Sequence, residues 1–247
     1  MIVLAVDAGN SRIKWGFADD GGWLRRAWMD TADVAGTADA LKQALGGLPE
    51  TARVVVSNVA GERVREVLVR ALAIYSSAPL WVSGREQQCG VRSGYADPAQ
   101  LGSDRWAGLI AAWKLYGQAC VVVNAGTTMT VDALSADGVF LGGIIVPGLD
   151  LMRNSLASGT AQLKLQRGAF YYFPDNTADA IMSGAINALC GAIDRVCGYM
   201  EESGQGTPLV VLSGGAAVLI KPRLTVRAEL VDNLVLDGLL EIAKQES

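Results

Sequence analysis

The chain has 247 residues, 51% hydrophobic and 19% charged, which suffices for one large domain or two modest lobes and leaves no composition for a disordered tail. A formal net charge of -4, without any block of like charges, argues against a basic nucleic-acid-binding face. There is no histidine, so Ser-His-Asp and Cys-His sites and His-ligated zinc are excluded. Any general base is a carboxylate, a lysine or a tyrosine, and of these a carboxylate is ionised at neutral pH without help.

The chain opens Met1-Ile-Val-Leu-Ala-Val-Asp7, with no basic start and an early charge. It reads as a first strand rather than a signal peptide, and no apolar run approaches a membrane span, so a cytoplasmic protein off the membrane is expected. After a turn at Gly9-Asn10, strands are predicted over Arg12 to Ala18 and Trp23 to Met29, making an antiparallel meander. Ala38 to Leu45 reads as a helix, Arg53 to Val59 as a strand, Glu62 to Ile74 as a helix and Leu80 to Val82 as a short strand. Gln87 to Ser103, rich in glycine and polar residues, reads as a long loop of the kind that is functional or disordered. A helix then runs from Asp104 to Tyr116 with Ser103 as its cap.

The opening pattern then returns. Strands are predicted over Ala119 to Val123, Met129 to Leu134 and Val139 to Val146, with turns at Asn124-Ala125-Gly126 and Gly138. Helices follow at about 149–158 and 177–200, a strand at Leu209 to Leu212, a further strand within Leu224 to Leu230, and a closing helix over Leu234 to Ala243. Val6-Asp-Ala-Gly-Asn-Ser-Arg-Ile-Lys14 lies over Val123-Asn-Ala-Gly-Thr-Thr-Met-Thr-Val131, about half the chain away. This is the signature of a duplication, and two similar lobes are expected over residues 1–117 and 118–247. None of the four cysteines forms a C-x-x-C pair; Cys190 and Cys197 share a helical face and are expected in a core. Trp106, Trp113, Tyr171 and Tyr172 are expected in core or surface packing rather than at a dimer interface.

The turns carry the chemistry. Backbone N–H groups and hydroxyls gathered at Gly9, Asn10 and Ser11 can cradle a phosphate, and Asp7 at the strand end can hold Mg²⁺ through water. Lys14 can reach phosphates as a point charge. Ser213-Gly214-Gly215, between a strand and a possible helix, allows a flat ligand close to the backbone. In Gly102-Ser103-Asp104-Arg105, Asp104 is placed to accept a hydroxyl proton and Arg105 to pair with a carboxylate. Together these groups supply what phosphoryl transfer needs: positioning, charge neutralisation and a base.

Asp7-Ala-Gly-Asn-Ser-Arg-Ile-Lys14, Tyr95 with Leu-Gly-Ser-Asp-Arg105, Asn124-Ala-Gly-Thr-Thr128 and Gly142-Gly-Ile-Ile-Val-Pro-Gly148 resemble, in order, the motifs of the type III pantothenate kinases. Leu212-Ser-Gly-Gly215 and Val231 to Leu239 agree as well. The resemblance implies an α/β fold of two actin-like (ribonuclease H-like) lobes, mixed sheets flanked by helices, with ATP in a cleft between them. It implies phosphorylation of pantothenate, the first step of coenzyme A biosynthesis, by a homodimer needing Mg²⁺ and a monovalent cation (K⁺ or NH₄⁺). Carried over residue by residue, Asp104 matches the catalytic base. Asp7, Gly9, Asn10, Ser11, Lys14 and Thr127 match ATP contacts. Tyr95, Gly102, Ser103, Asp104, Arg105 and, from the partner subunit's copy, Thr177 match pantothenate contacts. The metal ligands stay open. Ser11 stands where the family usually has Thr, and Asn124 where an Asp linked to the monovalent cation is usual. Two other readings are a kinase for another small hydroxylated substrate and a non-catalytic regulatory accessory protein of the same fold. Repressor-type sugar kinases typically carry a His-containing zinc motif, which this chain cannot have.

Overall fold

The computed structural model describes residues 1–34, 38–47, 53–76, 78–159 and 166–246. In chain order the elements are β1 (Val3–Ala8), β2 (Arg12–Asp19), β3 (Gly22–Asp30), α1 (Thr31–Val34), α2 (Ala38–Leu45), β4 (Arg53–Asn58), α3 (Glu62–Leu72), β5 (Leu80–Trp81), β6 (Gln87–Gln88), β7 (Val91–Ser93) and α4 (Ser103–Tyr116). They continue with β8 (Cys120–Ala125), β9 (Thr128–Leu134), β10 (Val139–Pro147), α5 (Leu149–Gly159), α6 (Thr177–Glu202), β11 (Leu209–Ser213), α7 (Ala217–Ile220), β12 (Ala228–Leu230) and α8 (Leu234–Gln245).

Two compact units result, Met1–Leu115 with Asn233–Ser247, and Tyr116–Asp232. In the first, the strands run β3-β2-β1-β4-β5; β1, β2 and β3 are antiparallel neighbours, while β1, β4 and β5 are parallel. One face of this sheet (Leu4, Val6, Ile13, Val56) packs against α2 and α3 through Leu41, Leu45 and Leu68. The fully buried leucines there contribute about 1.5–3 kcal/mol each. The opposite face meets α8, which packs on β1, β2 and β4.

In the second unit the strands run β12-β11-β8-β9-β10, with β8, β9 and β10 antiparallel neighbours and β8, β11 and β12 parallel. Strand order and direction repeat those of the first unit one for one, so the short sequence echo at the two turns reflects a repeat of the whole five-stranded plan. Helix α6 is long and apolar enough, by length and composition alone, to cross a bilayer. Its buried residues Ile186, Leu189, Cys190, Ile193, Cys197 and Met200 recur every three or four positions and join the core with Val121, Val131 and Val210. That single stripe is the pattern of a helix lying on a sheet. Cys190 and Cys197 are in this core, and all four cysteines are free.

Three expectations are corrected. Residues 233–247 were expected with the second lobe, but α8 belongs to the first unit, since its apolar stripe is buried on β1, β2 and β4. The Gln87–Ser103 stretch is not all loop. It contains the β6–β7 hairpin, closed by Cys89 at φ 50° and Gly90 at φ 83°, and a 3₁₀ turn at Pro98–Gln100 capped by Asp97. Both turn residues have the positive φ that tight hairpins require, and a cysteine is an unusual bearer of that signal. Finally, Ser103 does not precede α4 but begins it, and the carbonyl of Gly102 accepts the first helical bond from Trp106 N–H at 3.0 Å.

Gly238 of α8 lies so close to Ala107 of α4 that a Cβ there would overlap the Ala107 carbonyl oxygen. Backbone, not a movable side chain, blocks the space. Gly238→Ala is therefore expected to lower unfolding free energy by about 1–3 kcal/mol, read by urea denaturation.

Candidate active site

Residues facing each other across a sheet project from the same face. Ser57 of β4, Asp7 of β1, Lys14 of β2 and Trp28 of β3 form one such row. Asp7 is buried, and its Oδ1 has no hydrogen-bond partner among the described residues. Its pKa is raised from the ordinary 3.8 to about 7, first by burial and then by repulsion from Asp104; Lys14 and a hydrogen bond from Ser57 pull the other way. The adjoining turn is braced from beneath. Gly9 N–H donates to the Arg12 carbonyl at 3.0 Å, Thr31 N–H to the Ser11 carbonyl at 2.9 Å, and the Thr31 hydroxyl to the Gly9 carbonyl at 2.7 Å. Asn10 and Ser11 are left exposed at its tip.

The start of α4 meets this row. The Ser103 hydroxyl lies 2.9 Å from that of Ser57, the cross-strand neighbour of Asp7. Asp104 accepts from Arg105 N–H at 2.8 Å. Burial raises its pKa, opposed by that backbone bond and by the Arg105 charge. Arg105 is buried; its Nη1 donates to the Tyr95 hydroxyl at 3.3 Å and its guanidinium lies 5.9 Å from the Tyr95 ring centre. Gly102 leaves room for Asp104, because a Cβ there would come within 2.7 Å of its Oδ1. The structure thus brings Asp7, Lys14, Tyr95, Gly102, Ser103, Asp104 and Arg105 to one side of the first unit.

Thr127 and Thr177 belong to the second unit. Thr127 is exposed in the turn after β8, and its carbonyl accepts from Gly148 N–H at 2.9 Å. This turn abuts another motif: Gly214 has φ 96°, and a Cβ there would sit 2.5 Å from the Ala125 carbonyl oxygen, which accepts from Ala216 N–H at 3.2 Å. Asn124 and Ser213 face each other in parallel register. Thr177 opens α6, where Asn176 is the cap and accepts from Asp179 N–H at 3.0 Å.

Sequence reasoning missed Ser57 and Thr31. Ser57 carries a readable signal: a polar residue after three consecutive valines, near the carboxyl end of a parallel pair where open sheets bind ligands. Thr31 carries none, being distant in sequence from the turn it braces. Trp106 is core, fully buried, whereas Tyr171 and Tyr172 are exposed.

The residues fit a magnesium ion. An orphaned buried carboxylate oxygen on Asp7, beside a second carboxylate, suits a cation that takes one or two protein ligands and draws the rest from phosphates and water. No cluster of three or more His, Cys, Asp or Glu occurs among the described residues, so a dedicated protein cage is not formed.

The architecture is the actin-like ATPase and sugar kinase fold. A glucokinase from an Antarctic psychrotroph superposes with a TM-score of 0.56 at 12% identity, covering 99% of both chains. A conserved protein from Campylobacter jejuni, described as a Baf family transcriptional activator, superposes at 0.61 with 20% identity over 99% of this chain and 98% of its own. Likeness at such identity establishes the fold alone. The family model for type III pantothenate kinase matches residues 3–198, and the type III pantothenate kinase of Nitrosospira multiformis is 48% identical over 100% of this chain and 92% of its own. The chain belongs to the type III pantothenate kinase family.

The raised pKa of Asp7 has a consequence for stability. A carboxyl with a folded pKa of about 7 costs nothing below the unfolded value; the penalty grows as pH rises from about 4 to about 7 and is level above. Asp7→Asn removes it. The variant is expected to stabilise the ligand-free protein at pH 8 by a few kcal/mol (about 1.4 per pKa unit), and not at pH 3.5, measured by urea unfolding at both.

Proposed function

We propose that this chain transfers the terminal phosphoryl group of ATP to the primary hydroxyl of pantothenate, with Asp104 as general base. The reading rests first on Asp104: a carboxylate at a helix start, with a pKa raised by burial, beside a buried arginine. A raised pKa makes its carboxylate a better proton acceptor. Asp104 takes the hydroxyl proton as the oxygen attacks phosphorus, and the bond to the departing ADP breaks. Arg105, already oriented by Tyr95, pairs with the pantothenate carboxylate and fixes the hydroxyl's approach. Lys14 and the Gly9-Asn10-Ser11 turn hold phosphate oxygens, and Thr127 contacts the nucleotide. Asp7 would hold Mg²⁺, which would supply neutralisation of phosphate charge.

A homodimer accounts for the apolar surface of the second unit. Ile145 is 60%, Tyr172 87% and Phe173 95% exposed. Exposed large apolar side chains of this kind suit an association surface, and Thr177 then serves the partner subunit's site. The protein works in the cytoplasm, away from membrane and nucleic acid. Activation by K⁺ or NH₄⁺ is weaker here than where an aspartate occupies position 124, since Asn124 offers a carbonyl oxygen without a charge.

In a coupled ADP-release assay with Mg²⁺ and K⁺, turnover is expected only when pantothenate is present. Asp104→Asn is expected to lower kcat roughly 10²–10⁴-fold. ADP release indifferent to pantothenate would assign another acceptor. Titration with KCl is expected to show a steeper response for Asn124→Asp than for the native chain; equal curves would remove position 124 from cation binding.

A further inference from the structure

The stretch between β5 and α4 carries Tyr95 and Gly102 and leads into Ser103, Asp104 and Arg105 in the first turn of α4, and one side chain joins its two stems. Gln88, at the end of β6, is 5% exposed. Its Oε1 accepts from the indole N–H of Trp106 at 2.9 Å, so the residue just past Arg105 is tied to the start of the loop. Its amide donates to Glu246 Oε1 at 3.0 Å. Arg85 donates to the same oxygen at 2.7 Å, and Gln245 accepts from Cys89 N–H at 3.0 Å. Arg53 holds this end of α8 down by donating to the carbonyls of Ala243 at 2.9 Å and Glu246 at 2.7 Å.

The chain of bonds runs from α8 through Gln88 to the first turn of α4. Trp106 is completely buried, so its N–H has no solvent alternative; losing its acceptor leaves an orphaned donor. The turn it anchors is the one bearing Asp104 and Arg105. We propose that Gln88 and Glu246 are positioning residues for phosphoryl transfer: a clasp that closes the 87–106 loop and fixes the acceptor-binding groups, acting through Trp106. The proposal rests on the reading of Asp104 and Arg105 as acceptor-site residues. It predicts damage concentrated on the acceptor, because the Gly9 turn is braced separately by Thr31, and Asp7 and Lys14 are held by the pairing of β1 and β2.

The polarity of the clasp allows a decisive exchange. Gln88→Glu sets two carboxylates against each other. Combined with Glu246→Gln, the new carboxylate at position 88 accepts from Trp106 and from the new amide at position 246, restoring both bonds. In steady-state assays Gln88→Glu is expected to lower kcat/KM for pantothenate about 10–100-fold, with KM for ATP within about twofold, and the double variant to recover most of the loss. Trp106→Phe, which removes the donor together with part of the buried ring, is expected to show the same acceptor-selective loss. Equal loss toward both substrates, or no recovery in the double variant, would overturn the clasp. Hydrogen exchange over residues 89–103 separates this from the kinase reading. Faster exchange in Gln88→Glu, reversed in the double variant, supports the clasp even if pantothenate proves not to be the acceptor; unchanged exchange refutes it.

Discussion

The structure turns on a buried carboxylate with an unmade bond. Asp7 sits at the carboxyl end of a central strand, one oxygen unpartnered among the described residues, with Asp104 near enough to oppose its charge. Proteins tolerate such a group where it has work to do. Burial and repulsion together cost stability, Lys14 and Ser57 offset part of it, and a bound cation would offset the rest. The surrounding sheet explains why the cost is not relieved by movement: Asp7 is fixed by strands on both sides, and its row continues through Ser57 to the hydroxyl that begins α4.

Duplication sets the second constraint. Each unit repeats the same order of five strands, and each places a Gly-containing turn between its first two strands. Only the first keeps an aspartate before that turn; the second has Asn124. One plan thus yields a turn preceded by a charged carboxylate and a turn preceded by a neutral amide. The first unit also borrows α8 from the far end of the chain, and the contact of Gly238 with Ala107 ties it to the helix bearing Asp104.

Much of this was legible from the residues. Alternation in Arg12 to Ala18 and the turn signals at Gly9-Asn10 and Gly138 identify the meanders, because one face of each strand is buried and tight turns need glycine. The site motifs could be read because they are short and local. What escaped depends on distance along the chain. Nothing near Leu234 says that its helix belongs with the first unit, since an apolar stripe fits any apolar face. Nothing around Gln88 announces that it will meet both Trp106 and Glu246. The Ser57–Ser103 bond likewise needs two segments 46 residues apart. Local pattern specifies elements and turns; pairing between remote polar groups is fixed only by the assembled sheet.

The most direct test of this account is the titration of Asp7, followed by carboxyl-carbon NMR, with and without Mg²⁺ and a non-hydrolysable ATP analogue. The account predicts a midpoint near 7 in the ligand-free protein, falling well below that when cation and nucleotide bind beside the carboxylate. A midpoint near 4 without ligand, unchanged on adding both, would contradict it: Asp7 would then be an ordinary solvated carboxylate, and the site would have to be sought elsewhere.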